Sequence, residues 1–227
     1  MAKVARTHGV IIAHCAFLHS YLTRACYNRH VQWYIGVDEA GRGALAGPVS
    51  VGAVLYPSDF PWREVFALIT KRGEPRLRDS KQLSPQQRDV LYEHIVAHGR
   101  LRHAYAFVSA ETIDAIGIAN AAREAAAIAV MQLGGEVPHV KVLLDAGLSV
   151  SQQWKQESFI RGDERIPAIA FASIIAKVTR DRHMEELATT YADYGFDRHK
   201  GYGTLEHRRA IRAFGVLTGT HRHTFVH

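Results

Sequence analysis

The chain has 227 residues, of which 47% are hydrophobic and 22% charged, proportions typical of one large globular domain with a buried core. No run of about eighteen apolar residues occurs, which excludes a membrane-spanning helix and indicates a protein without a membrane partner. The 28 Lys and Arg outnumber the 22 Asp and Glu, giving a net charge of +6 that mildly favours a polyanionic partner.

The first 31 residues differ from the rest of the chain. They contain basic residues but no Asp or Glu, together with both cysteines, Cys15 and Cys26. We interpret residues 1–31 as an extension that is disordered or begins at a non-native start, and residues 32–227 as the functional domain. A targeting peptide is the alternative, against which no convincing cleavage site follows. Two cysteines without a zinc-like spacing predict a reducing, cytoplasmic setting.

The remaining chain alternates between patterns of strands and patterns of helices. Apolar runs typical of strands occupy residues 33–37, 48–56, 101–108, 139–144 and 158–160. Helical patterns occupy residues 85–98, 110–116, 119–133, 167–191 and the segment from Thr204 to 214. Ser84 and Thr204 are predicted N-caps, and residues 57–84 are predicted to be mostly loop. This order predicts an α/β fold, a mixed β-sheet flanked by helices with a helical carboxy-terminal part.

Three of the predicted strands end on or beside an acidic residue. Asp38 and Glu39 follow the first strand, Asp145 follows the fourth, and Asp163 lies shortly after the fifth. Each acid alone would be interpreted as a helix cap or turn ligand, as for Asp79. If the strands are neighbours, however, four carboxylates converge and repel one another unless divalent cations are bound. The pattern therefore favours a metal-dependent nuclease.

Several motifs, in order, resemble those of type 2 ribonucleases H, the ribonuclease HII family. They are GVDEAGRG at 36–43 continued by LAGP at 45–48, DSKQL at 79–83, KVLLD at 141–145, GD at 162–163 leading into ASIIAKVTRD at 172–181, HKGYGT at 199–204 and HRHTF at 221–225. The resemblance covers residues 34–225. Ala44 and Ala146 depart from the family's usual pattern without removing an acidic residue.

The resemblance implies a ribonuclease-H-like fold and an endoribonuclease. Its expected activity is cleavage of the RNA strand of RNA–DNA hybrids and incision on the 5′ side of single ribonucleotides in duplex DNA. Two Mg²⁺ or Mn²⁺ ions would be held by the catalytic carboxylates Asp38, Glu39, Asp145 and Asp163, leaving 3′-hydroxyl and 5′-phosphate ends.

The resemblance also implies substrate-binding residues. The backbone of Gly41, Arg42 and Gly43 would contact the ribose 2′-hydroxyl, and Tyr202 would stack on the next deoxyribose. The expected phosphate contacts are Lys81, Ser173 and Lys177, the last two one helical turn apart. For Arg180 and Asp181 a structural pair on the same helix is the alternative to a functional role.

Other interpretations stay open at this point. Ribonuclease HIII fits less well, because it usually has lysine in place of Arg42 and a larger amino-terminal domain. A 3′-exonuclease of the same superfamily and a catalytically silent duplex-binding module are the remaining alternatives. We expect a monomer in the cytoplasm, and docking to a replication clamp is not indicated by the sequence.

Overall fold

The computed structural model describes residues 5–7, 10–12, 31–134 and 139–226, the first two segments by their backbone alone. The strands are β1 (Ala5–Thr7), β2 (Val10–Ile12), β3 (Trp33–Ala40), β4 (Val49–Pro57), β5 (Arg102–Val108), β6 (Lys141–Asp145) and β7 (Lys155–Phe159). The helices are α1 (Trp62–Ala67), α2 (Pro85–Ala97), α3 (Ala110–Ile116), α4 (Ile118–Gly134), α5 (Pro167–Thr190), α6 (Phe196–His199) and α7 (Leu205–Phe214). Short 3₁₀ helices cover Ser80–Gln82, Gly162–Glu164, Ala192–Tyr194 and His223–Phe225.

The strands form one mixed sheet in the order β1-β2-β5-β4-β3-β6-β7. Along this order, the neighbours β1-β2, β2-β5, β5-β4 and β4-β3 pair antiparallel. The neighbours β3-β6 and β6-β7 pair parallel. Because parallel strands end at the same edge, the acids in the last residues of β3 and β6 are brought to one place. The predicted mixed sheet flanked by helices is confirmed.

Helices cover both faces of the sheet. On one face, the alanine-rich α4 packs its small side chains against the buried residues of β3, β4, β5 and β6. On the other face, α1, α2 and α5 pack together around a buried aromatic cluster, to which α1 contributes Phe66, α5 contributes Phe171 and the preceding loop contributes Phe60. None of the helices in the described part of the chain is long and apolar enough to cross a membrane.

Two glycines let α5 lie unusually close to the central strands. A Cβ on Gly36 of β3 would lie 2.1 Å from the carbonyl of Ala168, and one on Gly52 of β4 would lie 2.4 Å from the carbonyl oxygen of Ala172. Any larger residue at either strand position would push the helix outward. This contact matters for the site, because α5 carries Lys177 and Arg180.

The segment after α5 is helical, as predicted, and has its own small core. Ala46, Met184, Tyr194, Phe196 and Ala210 are buried together there. The core joins the carboxy-terminal helices to the segment that follows β3. Residues from both ends of the domain therefore meet beside the acidic cluster.

The predicted helix caps agree with the structure, and three other predictions need correction. The Ser84 and Thr204 side chains cap α2 and α7. Helix α1 lies within the segment that was predicted to be mostly loop. Strand β7 begins about three residues earlier than predicted, because the polar side chains of this edge strand do not form an apolar pattern. The first strand was predicted to end at residue 37, whereas β3 continues to Ala40 and stays paired with β4 over its whole length. Strands β1 and β2 extend the sheet beyond β5, while the two cysteines lie outside the described residues.

Candidate active site

Strands β3 and β6 bring three carboxylates together. Val37 pairs with Leu144 in the parallel ladder, so Asp38 and Asp145 come next on adjacent strands. Carboxylate oxygens of Asp38, Glu39 and Asp145 all lie within 4.8 Å of one another. The side chains are largely buried at the end of the sheet, where the ladder stops and solvent can still reach them.

Asp38 and Glu39 are consecutive strand residues, whose side chains start on opposite faces of the sheet. The backbone N–H of Glu39 donates to Asp38 Oδ1 at 2.8 Å, which draws the aspartate toward the carboxyl end of the strand. The longer glutamate side chain brings its own oxygen to the same place. The carboxylates therefore meet through the reach of their side chains, while the backbone stays in the regular strand.

Asp163 lies at the border of this cluster. It is buried on the 3₁₀ helix Gly162–Glu164, and the N–H of Gly162 donates to Asp145 Oδ1 at 2.8 Å. The carboxylate of Asp163 lies next to a fifth acid, Asp79. Burial, followed by the charges of Asp79 and Asp145, raises the pKa of Asp163 to about 6. Asp79 also caps the helix Ser80–Gln82, so its predicted capping role is correct but incomplete.

The electrostatics of the cluster fit a hard divalent cation. Burial, followed by the charges of Glu39, Asp145 and Asp163, raises the pKa of Asp38 well above its usual value. Burial also raises the pKa of Glu39, although Arg42 Nη1 lies 3.1 Å from Glu39 Oε1 and opposes the shift. Glu39 Oε2 is buried and finds no hydrogen-bond partner among the described residues. Repelling carboxylates with an unpartnered buried oxygen are the donor set that Mg²⁺ or Mn²⁺ would satisfy.

The turn after β3 contains two glycines that differ in their surroundings. Gly41 has a φ of +91°, and a Cβ there would lie 2.0 Å from Arg180 Nε, so internal packing requires glycine. A Cβ on Gly43 would meet nothing within 4 Å. Within residues 31–134 and 139–226, the backbone N–H groups of Arg42 and Gly43 donate no hydrogen bond. Two free donors beside an open glycine can therefore be approached closely by a ligand.

A cavity of about 540 Å³ joins this turn to the acids. Its wall includes Glu39, the Gly41–Gly43 turn, Lys81, Lys177 and Tyr202. The ring centroid of Tyr202 lies 5.8 Å from Lys177 Nζ. The cavity thus has the ring of Tyr202 in its wall together with the carboxylate of Glu39. Asp38 and Asp145 lie next to Glu39 but do not line the cavity themselves.

The predicted phosphate contacts differ in their position. Lys81 and Lys177 lie in the cavity wall, and Lys177 Nζ also donates to Asp181 at 2.7 Å. Ser173 is buried beneath the wall, and its hydroxyl donates to Ser80 Oγ at 2.7 Å. Ser80 itself reaches the cavity, so Ser173 contacts the site through Ser80.

Two fully buried arginines support the glycine turn. Arg180 donates to the carbonyls of Pro48, Lys200 and Ala46, at 2.9, 2.9 and 3.1 Å. Arg222 donates to the carbonyls of Gly47 and Arg42, at 3.0 and 2.9 Å. Asp181 forms ion pairs with Lys177 and Arg88, and toward Arg180 it contributes only the attraction of its charge, so the alternative of a structural pair holds in this weaker sense.

Several residues around the site escaped the sequence analysis. Asp79 had been assigned only a capping role, Arg88 lay unremarked in a predicted helix, and neither buried arginine was proposed to hold the turn. For Asp79, Arg180 and Arg222 the available signal was their position inside the motifs at 79–83, 172–181 and 221–225, whereas Arg88 lies outside these motifs and carried no such signal. Motif membership indicated that these residues matter but not what they contact.

A family model and sequence relatives identify one family. The family model described as Ribonuclease HII matches residues 35–227. A relative named Ribonuclease HII from Geobacillus kaustophilus (strain HTA426) is 44% identical over 202 residues, covering 89% of this chain and 71% of the relative.

Solved structures share the fold. A chain in the PCNA:RNase HII complex from Archaeoglobus fulgidus has a TM-score of 0.66 at 25% identity, covering 84% of this chain and 94% of that chain. The ribonuclease H2 from Pyrococcus horikoshii OT3 has a TM-score of 0.66 at 24% identity, covering 85% of this chain and 93% of that chain.

Proposed function

Because the chain belongs to the ribonuclease HII family, we propose that this nuclease incises duplex DNA on the 5′ side of single embedded ribonucleotides as well as cutting RNA–DNA hybrids. The resemblance and the ribonuclease-H-like fold that it implied are both confirmed. The observation that carries the proposal is the shared cavity. Glu39, the Gly41–Gly43 turn and the half-buried Tyr202 all border it, and carboxylate oxygens of Asp38 and Asp145 lie within 4.8 Å of a Glu39 oxygen.

The proposed catalytic residues are Asp38, Glu39, Asp145 and Asp163. Asp38 and Asp145 would hold Mg²⁺ or Mn²⁺ directly, and Glu39 and Asp163 would complete the coordination. When bound, a pair of such cations activates water for attack on phosphorus and stabilises the departing 3′-oxygen, leaving 3′-hydroxyl and 5′-phosphate ends. Burial, followed by repulsion from Glu39, Asp145 and Asp163, raises the pKa of Asp38, and a bound cation would relieve both effects, which supports this assignment.

The Gly41–Gly43 turn is proposed to identify the ribose. Free backbone N–H groups on Arg42 and Gly43 can donate to a 2′-hydroxyl, which DNA lacks. The open space around Gly43 allows the sugar to approach the backbone. Arg222 donates to the carbonyl of Arg42 within the turn, and Arg180 packs against Gly41 and donates to the carbonyl of Ala46 just after it, which supports a rigid, preformed contact.

Tyr202 is proposed to stack on the deoxyribose that follows the ribonucleotide. Tyr202 is half-buried and lies opposite the turn. An isolated antiparallel β-bridge between Ala44 and Tyr202 joins the two segments. Its ring would therefore contact the next sugar along the strand when the turn contacts the ribose. This spacing is what makes a single ribonucleotide sufficient.

Cations beside the cavity are proposed to bind the backbone phosphates. Burial lowers the pKa of Lys81, but the charges of Asp79, Asp38 and Asp163 outweigh burial and raise it overall. The Lys81 side chain therefore remains protonated. Lys177 provides a second cation, and Ser173 supports the wall through Ser80. Such contacts provide affinity without sequence preference.

One copy of the chain supplies every proposed group, which supports a monomeric enzyme. The cytoplasmic setting stays an untested prediction. Docking to a replication clamp, which the sequence does not indicate, is untested as well, although the structure from A. fulgidus contains a relative of this chain with PCNA.

The test is cleavage of a covalently closed duplex circle containing one ribonucleotide, with Mg²⁺, Mn²⁺ or EDTA. We expect one nick, on the 5′ side of the ribonucleotide, only when a divalent cation is present. An all-deoxy circle is the matched control. A requirement for a free end would indicate an exonuclease, and binding without a nick would indicate a silent duplex-binding module.

A further inference from the structure

Three buried histidines lie beside the cavity but have no role in the proposed chemistry. His199 ends α6, His207 lies in the first turn of α7, and His221 lies near the carboxy terminus. Their exposed fractions are 8%, 0% and 1%. The rings of His199 and His207 stack with centroids 4.3 Å apart, and His207 Nε2 lies 3.1 Å from His221 Nε2.

The hydrogen-bond partners of His221 assign its proton. The backbone N–H of Leu217 donates to His221 Nδ1 at 2.9 Å, so Nδ1 is an acceptor and carries no hydrogen. A neutral His221 therefore carries its proton on Nε2, which faces His207. Burial lowers the pKa of His221, so the neutral form is the one present at pH 7.

The same reasoning assigns the proton of His207. Its Nε2 must accept the hydrogen from His221, which leaves its own proton on Nδ1. Nδ1 lies 3.0 Å from the carbonyl oxygen of Tyr202, a group that can only accept. Burial, above all, lowers the pKa of His207 to about 4. A continuous chain of donors thus runs from Leu217 through both imidazoles to the Tyr202 peptide.

The backbone before Tyr202 needs such support. Lys200 has a φ of +51° and Gly201 a φ of +81°, both in the left-handed region that side chains such as that of lysine disfavour. The N–H of Tyr202 donates to the carbonyl of His199 at 2.9 Å. With its carbonyl held by His207, the tyrosine is constrained on both sides of its Cα.

We propose that His207 and His221 are positioning residues for Tyr202, acting as a neutral imidazole relay that orients its ring toward the deoxyribose. The inference rests on the substrate role proposed for Tyr202. The relay would set the preference for a junction between a ribonucleotide and a deoxyribonucleotide, while leaving the carboxylates unaffected.

The relay also reaches the glycine turn. The backbone of His221 forms an isolated antiparallel β-bridge with Ala46, and the backbone of Ala44 forms another with Tyr202. Backbone pairing therefore joins the segment of the glycine turn both to the Tyr202 loop and to His221, whose ring belongs to the relay. The separation of the turn and the Tyr202 loop is then fixed, which is what selection of a sugar junction requires.

The first test examines the protons in the wild-type protein. Two-bond ¹H–¹⁵N correlation spectra of ¹⁵N-histidine-labelled protein at pH 7.5 distinguish the two neutral tautomers and the imidazolium. We expect His221 with its proton on Nε2 and His207 with its proton on Nδ1. A proton on Nε2 of His207, or a charged ring at either residue, would overturn the relay whatever the activities show.

The second test compares cleavage of a duplex containing one ribonucleotide with cleavage of a long hybrid. His207→Phe fills the ring volume but removes the donor, whereas His207→Asn keeps an N–H near the Nδ1 position. Loss of one buried hydrogen bond predicts a fall of about tenfold in kcat/KM at the junction for the Phe variant. We expect a much smaller loss on the hybrid, and recovery of most junction cleavage by Asn. His103→Phe, at a buried histidine on β5, is the matched control.

The outcomes separate this inference from the proposed function. Equal losses on both substrates after correction for the folded fraction, or no recovery by Asn, would show a merely structural role and overturn the relay. If Tyr202→Ala reduces junction preference but His207→Phe does not, the relay alone fails. If Tyr202→Ala leaves the preference unchanged, the assignment of Tyr202 fails and the positioning role fails with it, although the tautomers can still be as assigned.

Discussion

Gly41 lies directly against Arg180, and a Cβ on the glycine would stand 2.0 Å from the guanidinium Nε. Because Gly41 also has a φ of +91°, Gly41→Ala combines a clash with backbone strain. We expect a loss of about 2 kcal/mol or more in the free energy of unfolding, which for a domain of this size lowers Tm by about 4 °C or more. Differential scanning calorimetry measures the effect.

Gly43→Ala is the matched control for that substitution. The space around Gly43 is open, so we expect a Tm within about 1 °C of wild type. If the turn contacts a ribose closely, the added methyl group should nevertheless lower kcat/KM on a single-ribonucleotide duplex by about tenfold. Undiminished cleavage by Gly43→Ala would argue against close approach of the sugar at this position.

Asp145→Asn should abolish catalysis while preserving the fold. The amide oxygen can still accept the hydrogen bond from Gly162, but it lacks the charge needed to hold a divalent cation. We expect cleavage to fall by about a thousandfold or more, with duplex affinity by fluorescence anisotropy changed by less than about threefold. Asp193→Asn, at an exposed acid, is the control. Near-normal turnover by Asp145→Asn in Mg²⁺ would remove Asp145 from the catalytic residues.

Tyr202→Ala should weaken cleavage at a junction more than cleavage within a long hybrid. Only the junction offers a deoxyribose for the ring, and loss of one stacking contact predicts a fall of about tenfold or more. Tyr202→Phe keeps the ring and should retain the junction preference. Mapped 5′ ends on the two substrates give the comparison, and equal losses on both would contradict the junction assignment.

Stability should fall as the pH drops from about 6.5 toward 4, in part because of His207. The folded-state pKa of His207 is lowered to about 4 from an ordinary value of 6.5, so in this range the unfolded chain binds a proton that the folded chain does not. The contribution of this histidine is fully present above pH 6.5 and is lost through the window.

The size of that contribution can be measured by comparison with His207→Asn. Between pH 7 and pH 5 we expect wild type to lose about 1 to 2 kcal/mol more than the variant, which cannot titrate there. His199 and His221, which also have lowered pKa values, remain in both proteins, as do the neighbouring charges of Arg198, Glu206 and His223. Urea unfolding at each pH is the measurement, and parallel pH profiles would contradict the lowered pKa of His207.

Deletion of residues 1–31 should leave folding and cleavage nearly intact. The family match begins at residue 35, and the cavity wall begins at Glu39. Within the extension, β2 adds two residue pairs to the edge of the sheet, opposite Phe107 and Val108. A large fall in Tm would show that the extension stabilises the domain through this edge.

Much of the fold and part of the site could be predicted from short stretches of sequence. The helix caps at Ser84 and Thr204 depend on residues three positions apart, and the buried strands on continuous apolar runs. The repeated pattern of a predicted strand followed by an acidic residue indicated which carboxylates could converge. Strand β7 was misplaced because its polar side chains at the sheet edge resemble a loop.

What only the tertiary structure decided is how distant residues meet. The parallel pairing of β3 with β6 places Asp38 beside Asp145, and no local pattern specifies which strands will be neighbours. Arg222 binds the carbonyl of Gly47, 175 residues earlier, and His221 reaches His207 across a loop. Local preferences are set by neighbours along the chain, whereas buried polar groups take whichever partners the packed core leaves within reach. The acids could therefore be selected from the sequence, but the arginines and histidines that hold the recognition segments could not.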